Sequence, residues 1–229
     1  MRSLLGKRDP LLTVAAAVFL LNAAAPAKGQ NGTAAFAEAL DEGVGFARAG
    51  DRQKASEVFL ELASEYPGEA AILYNLALTY EFDADGNRYK GENLNLAVSY
   101  YEEALAADPR FTPARLNVAV VWHKLGYLDE AAREYRLVAK VGGELGLRAE
   151  YNLALLLKEK GLAEEAAEIL TKDEGAYDDV SRVRLLALLA EDAGEVGRAI
   201  RLWKRALAMG DNPVFNTLAV KHLSALRGY

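Results

Sequence analysis

The 229-residue chain has no cysteine, two histidines, two methionines and six prolines. Without cysteine there is no disulfide framework, thiol nucleophile, thiolate zinc site or iron–sulfur cluster. His123 and His222 are the whole imidazole supply, which removes most histidine-based acid–base and metal chemistry. An excess of positive charge is missing too: 27 Lys and Arg stand against 33 Asp and Glu, for a net charge of −6. Nucleic-acid binding needs clustered cations to neutralise phosphates, so it is excluded as a function class. No basic amphipathic helix is present to lie on anionic lipid. No Gly-rich phosphate loop, nucleophile elbow or paired-carboxylate constellation occurs. The chain reads as non-enzymatic, with no cofactor. At 52% hydrophobic and 26% charged residues, it is neither a disordered polyelectrolyte nor a polytopic membrane protein.

Arg2, Lys7 and Arg8 precede a short apolar run, Leu11–Leu21, and Ala25-Pro26-Ala27 follows. A basic start, an apolar stretch too short for a bilayer span and a small-x-small exit predict a secretory signal peptide cleaved after Ala27. An uncleaved membrane anchor is the competing reading. Without residues 1–27 the chain holds 24 basic and 32 acidic residues, a net −8. The expected address is outside the cytoplasm, in the periplasm, with the extracellular space as the alternative. No stable membrane insertion is expected after cleavage.

A repeat organises the remainder. Ala55, Ala97, Ala131, Ala166 and Ala199 recur at separations of 42, 34, 35 and 33 residues. A Gly lies five residues before four of these anchors, at Gly50, Gly126, Gly161 and Gly194. A large side chain lies four residues after each: Phe59, Tyr101, Tyr135, Leu170 and Trp203. Twelve residues before four anchors comes a small residue, Gly43, Ala119, Ala154 or Ala187. For Ala97 the equivalent Ala77 is twenty residues back, which marks an eight-residue insertion. Pro67 and Pro109 fall twelve after their anchors, where a helix should stop. Two amphipathic helices joined by a tight Gly turn make one such unit, with the small residues allowing close approach. A single pair cannot bury its apolar face, so several must stack.

Tyr74-Asn75-Leu76-Ala77, Leu116-Asn117-Val118-Ala119 and Tyr151-Asn152-Leu153-Ala154, each followed by the anchor Ala (after Gly-x₄ in the last two), resemble the tetratricopeptide repeat family. The resemblance covers residues 36–211. It implies an all-α, right-handed helical-hairpin solenoid of about five repeats plus a C-terminal capping helix. The expected organisation is a signal peptide over 1–27, a linker over 28–35, and repeats over 36–69, 70–111, 112–145, 146–179 and 180–211. A capping helix over 212–229 follows, started by Asn212 and Pro213, with Val214, Phe215, Leu218, Ala219, Leu223 and Leu226 as its apolar stripe. Three departures from the pattern stand out. Asp41-Glu42 suits a polar end-cap, Asp173 predicts that the second helix of the fourth repeat ends early near Lys172, and Leu185 replaces the Asn in the fifth.

The resemblance implies that each first helix lines a concave inner surface. At helical spacing, the predicted partner-binding face carries Tyr74, Asn75, Leu78 and Phe82 in the second repeat. It carries Leu116, Asn117, Val120, His123 and Lys124 in the third, and Arg148, Tyr151, Asn152, Leu155 and Lys158 in the fourth. Val118, Ala119 and Trp122 point to the core instead. A row of amides flanked by aromatic and aliphatic side chains suits the backbone of a peptide or partner helix. The alternative is that these Asn residues hydrogen-bond inside the solenoid. The Lys/Arg clamp by which some family members grip a carboxylate is replaced by Leu78, Val120 and Leu155, which points to an apolar peptide or helix. His123 reads as a solvated groove residue.

The insertion reads as a polar turn. Asp83, Asp85 and Asn87 also alternate like the first ligands of a helix-loop calcium site. Arg88, however, fills the slot that needs Gly, and Leu94 the one that needs a bidentate Glu. The expected function is an exported protein–protein interaction scaffold or adaptor, monomeric alone and part of a larger complex. The alternatives are a structural subunit binding through convex or end surfaces, and a calcium-dependent binder through residues 83–94.

Overall fold

The computed structural model describes residues 30–82, 88–89, 93–172, 179–210 and 212–226. The expected signal peptide and the calcium candidates Asp83, Asp85 and Asn87 lie outside the described residues. Among the described residues there are eleven helices and no strand. They run α1 (Gln30–Ala49), α2 (Arg52–Glu65), α3 (Ala70–Tyr80), α4 (Leu94–Ala107), α5 (Thr112–Leu125), α6 (Leu128–Ala139), α7 (Gly143–Glu159), α8 (Ala163–Thr171), α9 (Val180–Asp192), α10 (Val196–Met209) and α11 (Pro213–Leu226). No helix among the described residues is long and apolar enough to cross a membrane. The chain divides into two compact units, with the boundary at Leu145/Gly146 near the start of α7.

In the N-terminal unit, α1 pairs with α2, α3 with α4 and α5 with α6, and each hairpin packs on the next. The repeat arithmetic explains why. Ala55, Ala97 and Ala131 are fully buried, and so are Phe59, Tyr101 and Tyr135 four residues on. Gly43 shows what the small position does. A Cβ there would sit 2.6 Å from Cε1 of Phe59, so only glycine lets α1 and α2 come this close. Gly126 shows what closes a hairpin. At φ 88° it donates to the carbonyl of His123, while Tyr127 N donates to Trp122 O at 2.9 Å. This left-handed cap satisfies the end of α5 and turns the chain into α6; the other turn glycines of the motif repeat it.

Two apolar clusters fill this unit. Phe36, Leu40, Val44, Ala55, Phe59 and Leu62 join Ile72 and Leu76 across the first two hairpins. The opposite side of α3 supplies Leu73, Tyr74, Ala77 and Leu78 to a second cluster with Tyr101, Ala104, Val118 and Val121. Burying one such aliphatic or aromatic side chain contributes about 1.5–3 kcal/mol. Trp122 is only partly buried against this cluster, and Val121 takes the fully buried position instead. Asp41 and Glu42 on α1 are exposed, as a polar end requires. The first helix starts at Gln30, within the stretch expected to be linker.

In the C-terminal unit α9 pairs with α10 and α8 packs on α9. Ala166, Ala199, Leu170 and Trp203 are fully buried. Helix α8 ends at Thr171 with Lys172 as its C-cap, as Asp173 foretold. Asn212 Oδ1 accepts from Val214 N at 3.0 Å and starts α11, which packs on α10. There His222 stacks on Trp203 with ring centres 4.6 Å apart, and Ala219 and Leu223 are buried. Val214, expected in the apolar stripe, is 64% exposed instead.

Candidate functional site

Helix α3, Ala70–Tyr80, contains no charged residue, and Glu81 follows it directly. Glu81 is fully buried. Its Oε1 accepts from the Tyr101 hydroxyl at 2.5 Å, and its Oε2 accepts from Arg88 Nε at 2.5 Å. Asn117 Nδ2 donates to the hydroxyls of Tyr74 at 3.1 Å and of Tyr101 at 3.3 Å. One continuous polar network therefore joins α3, α4 and α5 inside the apolar interior. Burial pushes the Glu81 carboxyl up, with Arg88 and then Tyr101 offsetting part of that. Burial also pushes the Tyr101 and Tyr89 hydroxyls well up.

The insertion completes this network. Phe82 pairs with Arg88 in an antiparallel bridge, and Tyr89 N donates to Glu81 O at 2.6 Å. Tyr89 adopts a left-handed φ of 60°, costly for a non-glycine residue, and its ring packs against the Tyr74–Tyr101 cluster. Two guanidinium groups lie over the Phe82 ring, Arg52 at 4.1 Å and Arg88 at 5.7 Å from its centre. Expected to be a polar turn, the insertion returns a cation and an aromatic side chain to the interior.

Of the fourteen residues predicted to line a binding groove, nine are buried: Tyr74, Asn75, Leu78, Leu116, Asn117, Val120, His123, Asn152 and Leu155. Asn117 is thereby a bridge between tyrosines rather than an exposed amide. His123, expected to be solvated, is 7% exposed with its ring edge-on to Tyr135 at 6.1 Å. For α3 the physical reason is that the helix is uncharged and packs on every side: Ala71 through Thr79 are all buried. Helical spacing separates two faces but does not say that one of them stays open. Five predicted residues do reach solvent. Lys124 is exposed, and Phe82, Arg148, Tyr151 and Lys158 are half-buried.

Three of those five share α7 in the C-terminal unit. Arg148, Tyr151 and Lys158, at intervals of three and seven, lie along one helical face. Lys158 Nζ reaches Asp192 on α9 at 2.9 Å. Beside them Glu150 pairs with Arg182, and Arg184 is buried, with desolvation pushing its guanidinium down and Tyr151 and Asp179 opposing.

Helical spacing does not single out Glu81, Arg115, Glu134 or Arg182, and Arg88 entered only as a misfit in the calcium-loop pattern. Arg115 of α5 pairs with Glu134 of α6 and also donates to Pro109 O at 2.8 Å. A signal existed for one of them: Glu81 is a charge between Tyr80 and Phe82 at the end of an uncharged helix. Among the described residues no group of three or more His, Asp or Glu is placed to hold a metal ion.

No protein-family profile matches the chain, and the comparison with curated proteins found no match. Solved structures do match. A tetratricopeptide repeat protein from Parabacteroides merdae superposes with a TM-score of 0.69 at 18% identity, over 84% of this chain and 72% of that one. A double mutant of MamA from RS-1 gives 0.64 at 16% identity, over 76% and 93%. The pilF protein of Pseudomonas aeruginosa gives 0.63 at 16% identity, over 84% and 89%. With the hairpins, anchors and turn glycines described above, these likenesses show that the chain has the all-α helical-hairpin solenoid fold of tetratricopeptide repeat proteins.

Proposed function

We propose that this chain is a non-catalytic protein–protein interaction scaffold, exported and released from its N-terminal segment after Ala27. It holds a peptide or helix of a partner against the first-helix face of the C-terminal unit. The observation that supports this reading is the half-open row on α7. Tyr151 offers a large amphipathic contact, flanked by the cations Arg148 and Lys158, and aromatic and Arg side chains are enriched at binding hot spots. The buried Leu155 and Asn152 beneath hold that face in place. A partner segment with an apolar or aromatic anchor beside an acidic side chain fits it best.

The experiment is capture from an envelope extract on immobilised native chain and on a variant carrying R148E, Y151A and K158E. The variant must first match the native melting temperature. A protein retained by the native chain and lost from the variant supports the reading and identifies the partner. Retention on both overturns the α7 assignment and favours a structural subunit that binds through other surfaces. N-terminal sequencing of the protein recovered from the envelope fraction tests export, with Lys28 expected as the first residue.

A further inference from the structure

A second surface of the C-terminal unit is lined by residues outside α7. Helix α8 stops after nine residues, whereas α10 runs for fourteen. Between α8, α9 and the start of α10 lies a groove of about 260 Å³. Ala163 and Ala167, one turn apart on α8, form one wall, and Leu186, Leu189 and Ala190 of α9 form the floor. The floor is firm, since Leu186, Leu189 and Ala190 are all buried. Its rim is mainly acidic. Glu164, Glu168 and Glu195 are exposed, and Arg198, the cation among the described lining residues, is paired with Glu195 at 2.9 Å.

We propose that this groove docks a basic amphipathic helix of a partner protein. Small residues at i and i+4 on α8, beside the ridge of α9, let a third helix approach to the usual interaxial distance of about 8–10 Å. The groove has room for the aliphatic knobs of a helix lying along it. Charge then selects the occupant. Lys or Arg side chains flanking those knobs meet Glu164 and Glu168, whereas an acidic helix would meet like charge on the same rim. The site shares no residue with the α7 row, so a chain of this kind could hold two partner segments at once.

The test uses the full chain and a fluorescent amphipathic helical peptide of about 18 residues, with Leu and Ala on one face and Lys on the other. Its twin carries Glu in place of every Lys. Fluorescence anisotropy is expected to show binding of the Lys peptide and none of the Glu twin. E164K/E168K, at exposed positions that leave the core untouched, should weaken binding at least about tenfold. A167W, which fills the groove, should weaken it comparably. E102K/E103K, an exposed acidic pair on α4, should leave it unchanged. Failure of the Lys peptide to bind, equal binding of both peptides, survival of binding in E164K/E168K, or an equal loss in E102K/E103K would each overturn the proposal. Should A167W melt early, the surface charge reversals decide alone.

Discussion

Tyr101 and Glu81 stand twenty residues apart in sequence, on opposite sides of the insertion, yet the tyrosine hydroxyl donates to the fully buried carboxylate at 2.5 Å. Arg88 closes the same carboxylate from within the insertion. A buried carboxylate left without its partners retains its full desolvation cost, so the three residues act as a unit.

Removing one member should therefore cost more than removing the pair. E81A is expected to destabilise the chain by about 3–5 kcal/mol, because Arg88 and the Tyr101 hydroxyl lose their acceptor inside an apolar surround. The double variant E81M/R88M should recover most of that loss. Urea denaturation followed by circular dichroism measures both, and equal losses in the single and double variants would deny the coupling.

The same carboxyl predicts a pH effect. Burial raises its folded-state pKa above the ordinary 4.5, so the folded chain binds that proton more tightly than the unfolded chain. The resulting stability is fully present below the unfolded value and is lost as pH rises through the raised folded value. E81Q is neutral throughout and lacks this slope. The melting temperature of the native chain minus that of E81Q should fall as pH is raised from about 4 to about 7. A difference that grows over this range would reverse the assigned direction.

At Gly43 two effects compete. Alanine gains about 1 kcal/mol in helix propensity, but its Cβ would meet the Phe59 ring at 2.6 Å, and overpacking a core costs about 1–3 kcal/mol. The clash wins because Phe59 is fully buried and has no room to turn. G43A should lose about 1–2 kcal/mol, and G43A/F59L should be more stable than the two separate losses predict. An additive double-mutant cycle would show that the two side chains do not meet.

Trp203 joins the last hairpin to α11. It is fully buried, its Nε1 donates to Glu191, and His222, also hydrogen-bonded to Glu191 at 2.9 Å, stacks on its ring. W203A should cost about 3–5 kcal/mol. Hydrogen exchange should rise in α9, α10 and α11 together, because a solenoid repeat is stabilised through its neighbours. Exchange confined to α11 would make the contact a mere surface cap.

Much of the architecture was legible in the residues. Every anchor alanine and every large residue four positions on is fully buried, and the short α8 ends where Asp173 said it would. Local spacing suffices for this because one hairpin is a short-range object, closed by a turn glycine and packed by residues a fixed number apart. Of the residues expected to line a groove, Arg148, Tyr151 and Lys158 are half-buried along one face of α7.

Tertiary structure decided what a helical wheel cannot. An amphipathic pattern says which side chains share a face, whereas burial depends on what arrives from elsewhere in the chain. Asn117 became internal because Tyr74 and Tyr101 reach it from two other helices. Glu81 became a buried acceptor because the insertion returns Arg88 to it. The acidic groove exists only where α8, α9 and α10 meet. The sequence by itself determined the hairpins and the residues that join them, since those are set by short-range spacing. Which polar groups are enclosed, and which faces stay open to a partner, rested on contacts between residues far apart in the chain.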